Sequence, residues 1–178
     1  WSTDFQVEYK GEINLVTEVD QASEKMIVDI LQGAYPEHDV MAEEGSGERT
    51  QSIYKWIIDP LDGTTNFAHS YPLFCVSIAL EFEGDVILGV VYDPLRDEMF
   101  TAIAGHGAVL NGQPIRVSTR SLDKSLVGTG FAYNVREVEN NNLNHFANMI
   151  MKAQGVRRDG VAAIDLCYVA CARYDAFW

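Results

Sequence analysis

Between residues 73 and 103 the chain offers three apolar runs, 73–82, 86–92 and 98–103, separated only by the turn signals Glu83-Gly84-Asp85 and Asp93-Pro94. Runs of this length, rich in Val, Ile, Phe and Tyr and punctuated by Gly or Pro, pair as strands through tight turns. Gly105, Gly107 and Asn111-Gly112 extend the pattern as further hairpins, and a shorter run at 56–58 reads as one more strand. Elsewhere the period changes. Ala22, Met26, Ile27, Ile30, Leu31 and Ala34 recur at helical spacing behind Asp20 at the helix entrance, with Gly33 and Pro36 marking the stop. A second helix is expected over 141–154, where Leu143, Phe146, Ala147 and Ile150 share a face, and a third after Gly160, carrying Ala162, Ala163, Leu166, Cys167 and Ala170. Strand-rich stretches between separate helices indicate an α/β (α+β) fold rather than a bundle or a sandwich.

With 178 residues and 47% hydrophobic content there is material for one core, and 1–178 reads as a single domain. The chain opens on Trp1 and closes on Trp178 inside what reads as a strand, Tyr174-Asp175-Ala176-Phe177-Trp178, so the domain is expected to be incomplete at its C-terminus. No run approaches the ~20 consecutive apolar residues of a membrane span, and no basic-then-apolar leader opens the chain. A soluble, cytoplasmic protein is the expectation. Cys75, Cys167 and Cys171 lie in apolar runs without paired zinc-site spacing, and read as buried reduced thiols.

The formal net charge is −13, from 26 acidic against 13 basic residues, which argues against a nucleic-acid backbone as partner. It would equally repel a phosphorylated small molecule unless cations intervened. The segment that could hold them runs from Glu43 to Phe67. Glu43-Glu44 follows the apolar Val40-Met41-Ala42, and after a polar loop comes Trp56-Ile57-Ile58-Asp59-Pro60-Leu61-Asp62-Gly63-Thr64-Thr65-Asn66-Phe67. Asp59 is expected to end a buried strand. Pro60 then forces a sharp turn that frees the Leu61 carbonyl, Asp62 faces the same space as Asp59, and Gly63 lets backbone approach a ligand. A helix starting near Thr64 would aim its first N–H groups there. Carboxylates with one carbonyl suit Mg²⁺, which takes oxygen ligands and keeps several waters. Hydroxyls on Thr17, Thr64 or Thr65 can orient an attacking water. Each piece alone has a plainer reading: Asp59 to Gly63 as an ordinary turn, Asp20 as a helix cap, Glu43-Glu44 as a solvated loop. Their coincidence behind apolar strands favours a metal site.

These residues resemble the inositol monophosphatase family, within the wider lithium-sensitive, Mg²⁺-dependent phosphatases. Asp59-Pro60-Leu61-Asp62-Gly63-Thr64-Thr65 matches its central motif, and seven such positions recur by chance on the order of once in 10⁸ windows. The likeness extends through Leu15-Val16-Thr17-Glu18-Val19-Asp20, Ala42-Glu43-Glu44, Gly89-Val90-Val91-Tyr92, the stretch 105–112 and Gly160-Val161-Ala162-Ala163-Ile164-Asp165-Leu166. The resemblance implies a layered αβαβα sandwich and two or three Mg²⁺ ions. It also assigns roles. Glu43, Asp59 and the Leu61 carbonyl would hold the first ion, and Asp59 with Asp62 the second. Thr64, supported by Asp20, would orient the nucleophilic water. Amides of Gly63, Thr64 and Thr65 would cradle phosphate beside Asp62, while Ala162 and its neighbours would contact a polyol. A homodimer is implied as well.

Two departures stand out. Relatives commonly carry Asp where this chain has Asn14, and they follow the Phe177-Trp178 position with a substrate-binding Glu and then a Trp-Asp pair supplying the last ligand of the second metal. Among substrates, Thr65-Asn66-Phe67 favours inositol phosphates over fructose-1,6-bisphosphate, histidinol phosphate and 3′-phosphoadenosine 5′-phosphate. Outside enzymes, a regulatory binding protein that kept the fold without the chemistry is the remaining reading.

Overall fold

The computed structural model describes residues 7–9, 15–45, 51–139 and 141–178; Asn14 lies outside them. The chain forms two compact units, Trp1–Pro114 and Ile115–Trp178. The expected α/β class is what the structure shows.

In the first unit a short antiparallel pair, β1 (Val7–Tyr9) and β2 (Leu15–Thr17), leads into helix α1 (Glu18–Ala34). Then follow β3 (Asp39–Ala42), β4 (Tyr54–Asp62), α2 (Thr64–Ala68), β5 (Cys75–Phe82), β6 (Asp85–Asp93), β7 (Glu98–Ile103), β8 (Gly107–Leu110) and β9 (Gln113–Pro114). The seven strands β3 to β9 lie side by side in sequence order. β3 and β4 run parallel, and every later pair is antiparallel; from β5 onward the short turns between consecutive strands require this. Helix α1 covers this sheet through Val28, which packs with Val40, Trp56 and Ile58. Its periodicity was legible, but its start was not. The helix begins at Glu18 with Thr17 as N-cap, so Asp20 sits inside the first turn rather than at the entrance.

A second correction concerns β4. The strand does not end at Asp59; it runs on through the fully buried Pro60 to Asp62. Asp59 pairs with Ser77 and Asp62 with Cys75, so three steps along β4 are matched by two along β5. One extra residue is accommodated as a bulge, the place where a sheet tolerates a proline that has no N–H to donate.

The second unit holds β10 (Leu126–Gly128), α3 (Leu143–Ile150), β11 (Gly155–Arg157), α4 (Ala162–Ala170) and β12 (Ala176–Phe177). Its three strands are parallel, with β10 between β11 and β12. Val127, Val161 and Ile164 are fully buried. Helix α3 is shorter than expected, because the chain turns at Met149 to Ala153 to enter β11. Cys75 is buried as foreseen, whereas Cys167 and Cys171 are half-buried. Burial, then the neighbouring Cys171, pushes the Cys167 thiol up to about 12. Among the described residues no helix is long and apolar enough to cross a membrane.

Candidate active site

The bulge is what lets Asp59 and Asp62 act together. In a regular strand, residues three apart point to opposite faces, and the extra residue removes that restriction. The turned backbone is tied down locally. Leu61 N donates to Asp59 Oδ1 at 3.1 Å, Ser23 Oγ on α1 donates to the Pro60 carbonyl at 3.1 Å, and Thr64 Oγ1 lies 3.1 Å from the Leu61 carbonyl. Gly63 sits at φ +97 as the residue before α2, a conformation a side chain would strain. Below it, Leu61, Phe67 and Phe74 form a small apolar cluster with Val19, the two phenylalanine rings meeting edge-on at 5.0 Å. Asn66 Nδ2 holds the Leu73 carbonyl at 3.0 Å, and Thr65 is exposed.

Asp20 comes to this site from α1. Its Oδ2 accepts from Thr17 N at 2.8 Å and Thr17 Oγ1 at 2.5 Å, while Thr17 Oγ1 accepts from the Val19 and Asp20 amides. That is a reciprocal capping box, with Asp in the place usually taken by Glu or Gln. The other oxygen, Oδ1, accepts from Thr64 Oγ1 at 3.0 Å. Thr17, one of the hydroxyls expected to orient water, is 1% exposed and engaged in the cap.

Glu43 follows β3, with its amide on the Ile58 carbonyl at 3.2 Å. The next residue supplies a contact that sequence reasoning missed: the Glu44 amide donates to Glu24 Oε2 at 2.6 Å. Glu24 is completely buried in α1 and braces the segment carrying Glu43. The available signal was its position, four residues after Asp20 and four before Val28, on the stripe of α1 that faces inward. Ala162, the expected polyol contact, is the exposed first residue of α4 in the second unit.

Asp59 is pushed up to about 6, first by burial and next by the negative charge of Asp62, with a smaller push from Asp20; the Leu61 amide and a hydrogen bond with Glu43 oppose the rise. Asp20, Glu43, Asp59, Asp62 and Thr64 are therefore neighbours. Among the described residues no three His, Cys, Asp or Glu side chains are already gathered into a metal-holding group. The donor chemistry, carboxylates with the Leu61 carbonyl, fits a hard cation that completes its shell with water.

The raised Asp59 value makes a prediction for metal-free protein. Between the ordinary 3.8 and about 6, folded Asp59 keeps a proton that the unfolded chain has released. Its contribution to stability is therefore full below about pH 4 and lost as pH rises through 6. In EDTA at pH 7, Asp59→Asn should be more stable than the parent by on the order of 1 kcal/mol, the full shift being discounted for partial exposure. At pH 4 the two should converge. Urea titrations at both pH values check this, and a variant no more stable at pH 7 would show that Asp59 is under no electrostatic strain.

An α/β fold with a bulged, carboxylate-bearing strand beside a capped helix defines a class, and comparison with known proteins identifies it. The chain belongs to the inositol monophosphatase family, whose model matches residues 1–178. It is 49% identical over 178 residues to Nus factor SuhB of Pseudomonas aeruginosa, covering 97% of this chain and 66% of that protein. It is also 49% identical over 181 residues to the inositol-1-monophosphatase of Synechocystis, covering 100% and 63%. The chain thus spans just under two thirds of the length of these relatives. Among solved structures, the extragenic suppressor protein SuhB from Bartonella henselae superposes with a TM-score of 0.92 at 40% identity, over 98% of this chain and 68% of that one. Three more distant structures, each covering 96% of this chain and 64% of theirs, carry ligands. An IMPase/NADP phosphatase is complexed with Mg²⁺ and phosphate (28% identity, TM-score 0.83), a dual-specific IMPase/NADP phosphatase is bound with D-inositol-1-phosphate (26%, 0.80), and a staphylococcal inositol monophosphatase forms an inhibitory complex soaked in 100 mM LiCl (26%, 0.82).

Proposed function

We propose that the protein hydrolyses the phosphate monoester of inositol or a similar small polyol, with Mg²⁺ held by Glu43, Asp59, the Leu61 carbonyl and Asp62. The observation that carries this reading is the clustering of Asp59 with Asp62, Asp20 and its hydrogen-bond partner Glu43; a cation would relieve the repulsion that Asp62 and Asp20 exert on Asp59. Bound Mg²⁺ supplies water activation and neutralisation of phosphate charge. The chain's own groups do the rest. With its proton given to Asp20 Oδ1, Thr64 Oγ1 keeps lone pairs with which to accept from a water and aim it. As that water attacks phosphorus and the ester P–O bond breaks, the water's proton passes to Thr64 Oγ1 and the Thr64 proton to Asp20, while the departing polyol oxygen takes up a proton from solvent. The amides of Gly63, Thr64 and Thr65 receive the phosphate oxygens. Support comes from the ligand-bound relatives and from the motif match. A cytoplasmic location and a homodimer belong to the same proposal.

Phosphate release from inositol-1-phosphate, with Mg²⁺ and with EDTA, tests it; turnover undiminished by EDTA would end the metal reading. Fructose-1,6-bisphosphate, histidinol phosphate and 3′-phosphoadenosine 5′-phosphate complete the substrate panel. Lithium at 100 mM, the concentration used on the staphylococcal relative, should inhibit. Full turnover in that salt would move the protein away from the inositol branch. One observation favours a second reading, a non-enzymatic binding role: identity to a protein named a Nus factor equals identity to one named an inositol-1-monophosphatase. Absence of turnover on the whole panel would favour it.

A further inference from the structure

Glu24 is wholly buried in α1, and the proposed chemistry assigns it no step. A carboxyl group taken out of water is costly unless hydrogen bonds hold it, so what Glu24 accepts matters. Its Oε2 takes the Glu44 amide at 2.6 Å. Glu43 and Glu44 are the middle residues of the turn that leaves β3, closed by Gly45 N donating to the Ala42 carbonyl at 3.2 Å. On one side Glu43 is tied to β4, through its own amide on the Ile58 carbonyl at 3.2 Å. On the other side stands the peptide whose N–H Glu24 receives. That peptide is planar, so fixing the Glu44 N–H also fixes the Glu43 carbonyl. With both flanking peptides pinned, the direction in which Glu43 sends its side chain is settled by the backbone.

The carboxylate that Glu43 meets is steadied from the same helix. Ser23, the neighbour of Glu24, donates to the Pro60 carbonyl at 3.1 Å, and Leu61 N donates to Asp59 Oδ1 at 3.1 Å. Glu43 in turn shares a hydrogen bond with Asp59. Two adjacent residues of α1 thus set the distance between the turn bearing Glu43 and the bulge bearing Asp59. What such rigidity does depends on the cation. Mg²⁺ demands near-ideal octahedral geometry at about 2.0–2.1 Å, whereas Ca²⁺ accepts ~6–8 oxygens at roughly 2.3–2.6 Å in flexible arrangements. A carboxylate that cannot retreat favours the smaller ion.

We infer that Glu24 is a positioning residue that holds the Glu43 turn against β4 and thereby sets the preference of the site for Mg²⁺ over Ca²⁺. This rests on the metal-dependent reading above and deepens it. Glu24 acts through Glu43 rather than on cation or substrate directly. Releasing it should cost Mg²⁺ more than Ca²⁺, because only the smaller ion depends on an exact ligand position.

Isothermal calorimetry with Mg²⁺ and Ca²⁺ chlorides, on the full chain and without substrate, tests this. Glu24→Met keeps the bulk of the side chain and removes the acceptor, while Glu24→Asp draws the acceptor back by one methylene. In each, the Kd for Mg²⁺ should rise ~10-fold, as for loss of a partner behind a metal ligand, while that for Ca²⁺ moves by ~2-fold or less. Glu24→Gln presents an oxygen at the same reach and should stay within ~3-fold of the parent for both ions. In the metal-free parent the Glu44 amide should exchange at least ~100-fold more slowly than an open amide, a reading that needs no variant to fold. An unprotected Glu44 amide would overturn the tie. Equal weakening of both ions would overturn the role in cation preference, and unchanged affinities in Glu24→Met and Glu24→Asp would overturn any role at the site. A parent protein that binds neither ion would fail the metal reading itself, and this inference with it, however well the Glu44 amide is protected.

Discussion

Asp59→Asn is expected to lower kcat by on the order of 10³-fold or more, a barrier increase of about 4 kcal/mol, while circular dichroism and thermal melting show an intact fold. Asparagine preserves the shape of the side chain and an oxygen to accept the Leu61 amide. What it removes is the charge. In the proposed site Asp59 is the one side chain shared by both cation positions, so both lose affinity together. The same change relieves repulsion in the metal-free state, so activity and metal-free stability should move in opposite directions. Steady-state kinetics across a Mg²⁺ titration provide the measurement. A fall of less than about tenfold, roughly 1.4 kcal/mol, would mean that Asp59 does not bridge two ions.

Thr64→Ala should cost about 10²-fold in kcat, the lower part of the range for positioned proton transfer, with the Mg²⁺ concentration for half-maximal rate nearly unchanged. Thr64 Oγ1 reaches Asp20 and the Leu61 carbonyl, and its proposed task is to aim water and pass a proton. Thr64→Ser retains that hydroxyl and should recover most of the rate. Comparable damage to Mg²⁺ affinity would instead make Thr64 a direct ligand. Asp20→Asn is a less clean probe, because it also disturbs the capping box and so carries a stability cost of about 1 kcal/mol.

Much of the first unit could be read from residues because its punctuation is local. Glu83-Gly84-Asp85 and Asp93-Pro94 set two turns by their own backbone preferences, and β7 begins and ends at Glu98 and Ile103 as expected. Of the candidate site residues, Asp59, Asp62 and Thr64 stand in one contiguous motif, while Asp20 and Glu43 lie outside it. What escaped detection depended on distant partners. Pro60 reads as a turn until Cys75 pairs with Asp62 and carries the strand past it. The role of Glu24 depends on the Glu44 amide, twenty positions away. Asp20 looked like a cap at the helix entrance, yet it caps from the third position, an inversion that only the Thr17 geometry reveals. The division after Pro114 has no linker composition to mark it.

Asp20 divides its two oxygens between different tasks, one closing the first turn of α1 and the other holding Thr64. Helix ends are among the first parts of a protein to open on warming, at a cost well below that of global unfolding. When that turn frays, Thr64 loses its partner although the seven-stranded sheet is still intact. Catalysis should therefore fade with temperature ahead of the melting transition and return on cooling without any refolding step. Over that interval, turnover works as a thermometer of one helical turn.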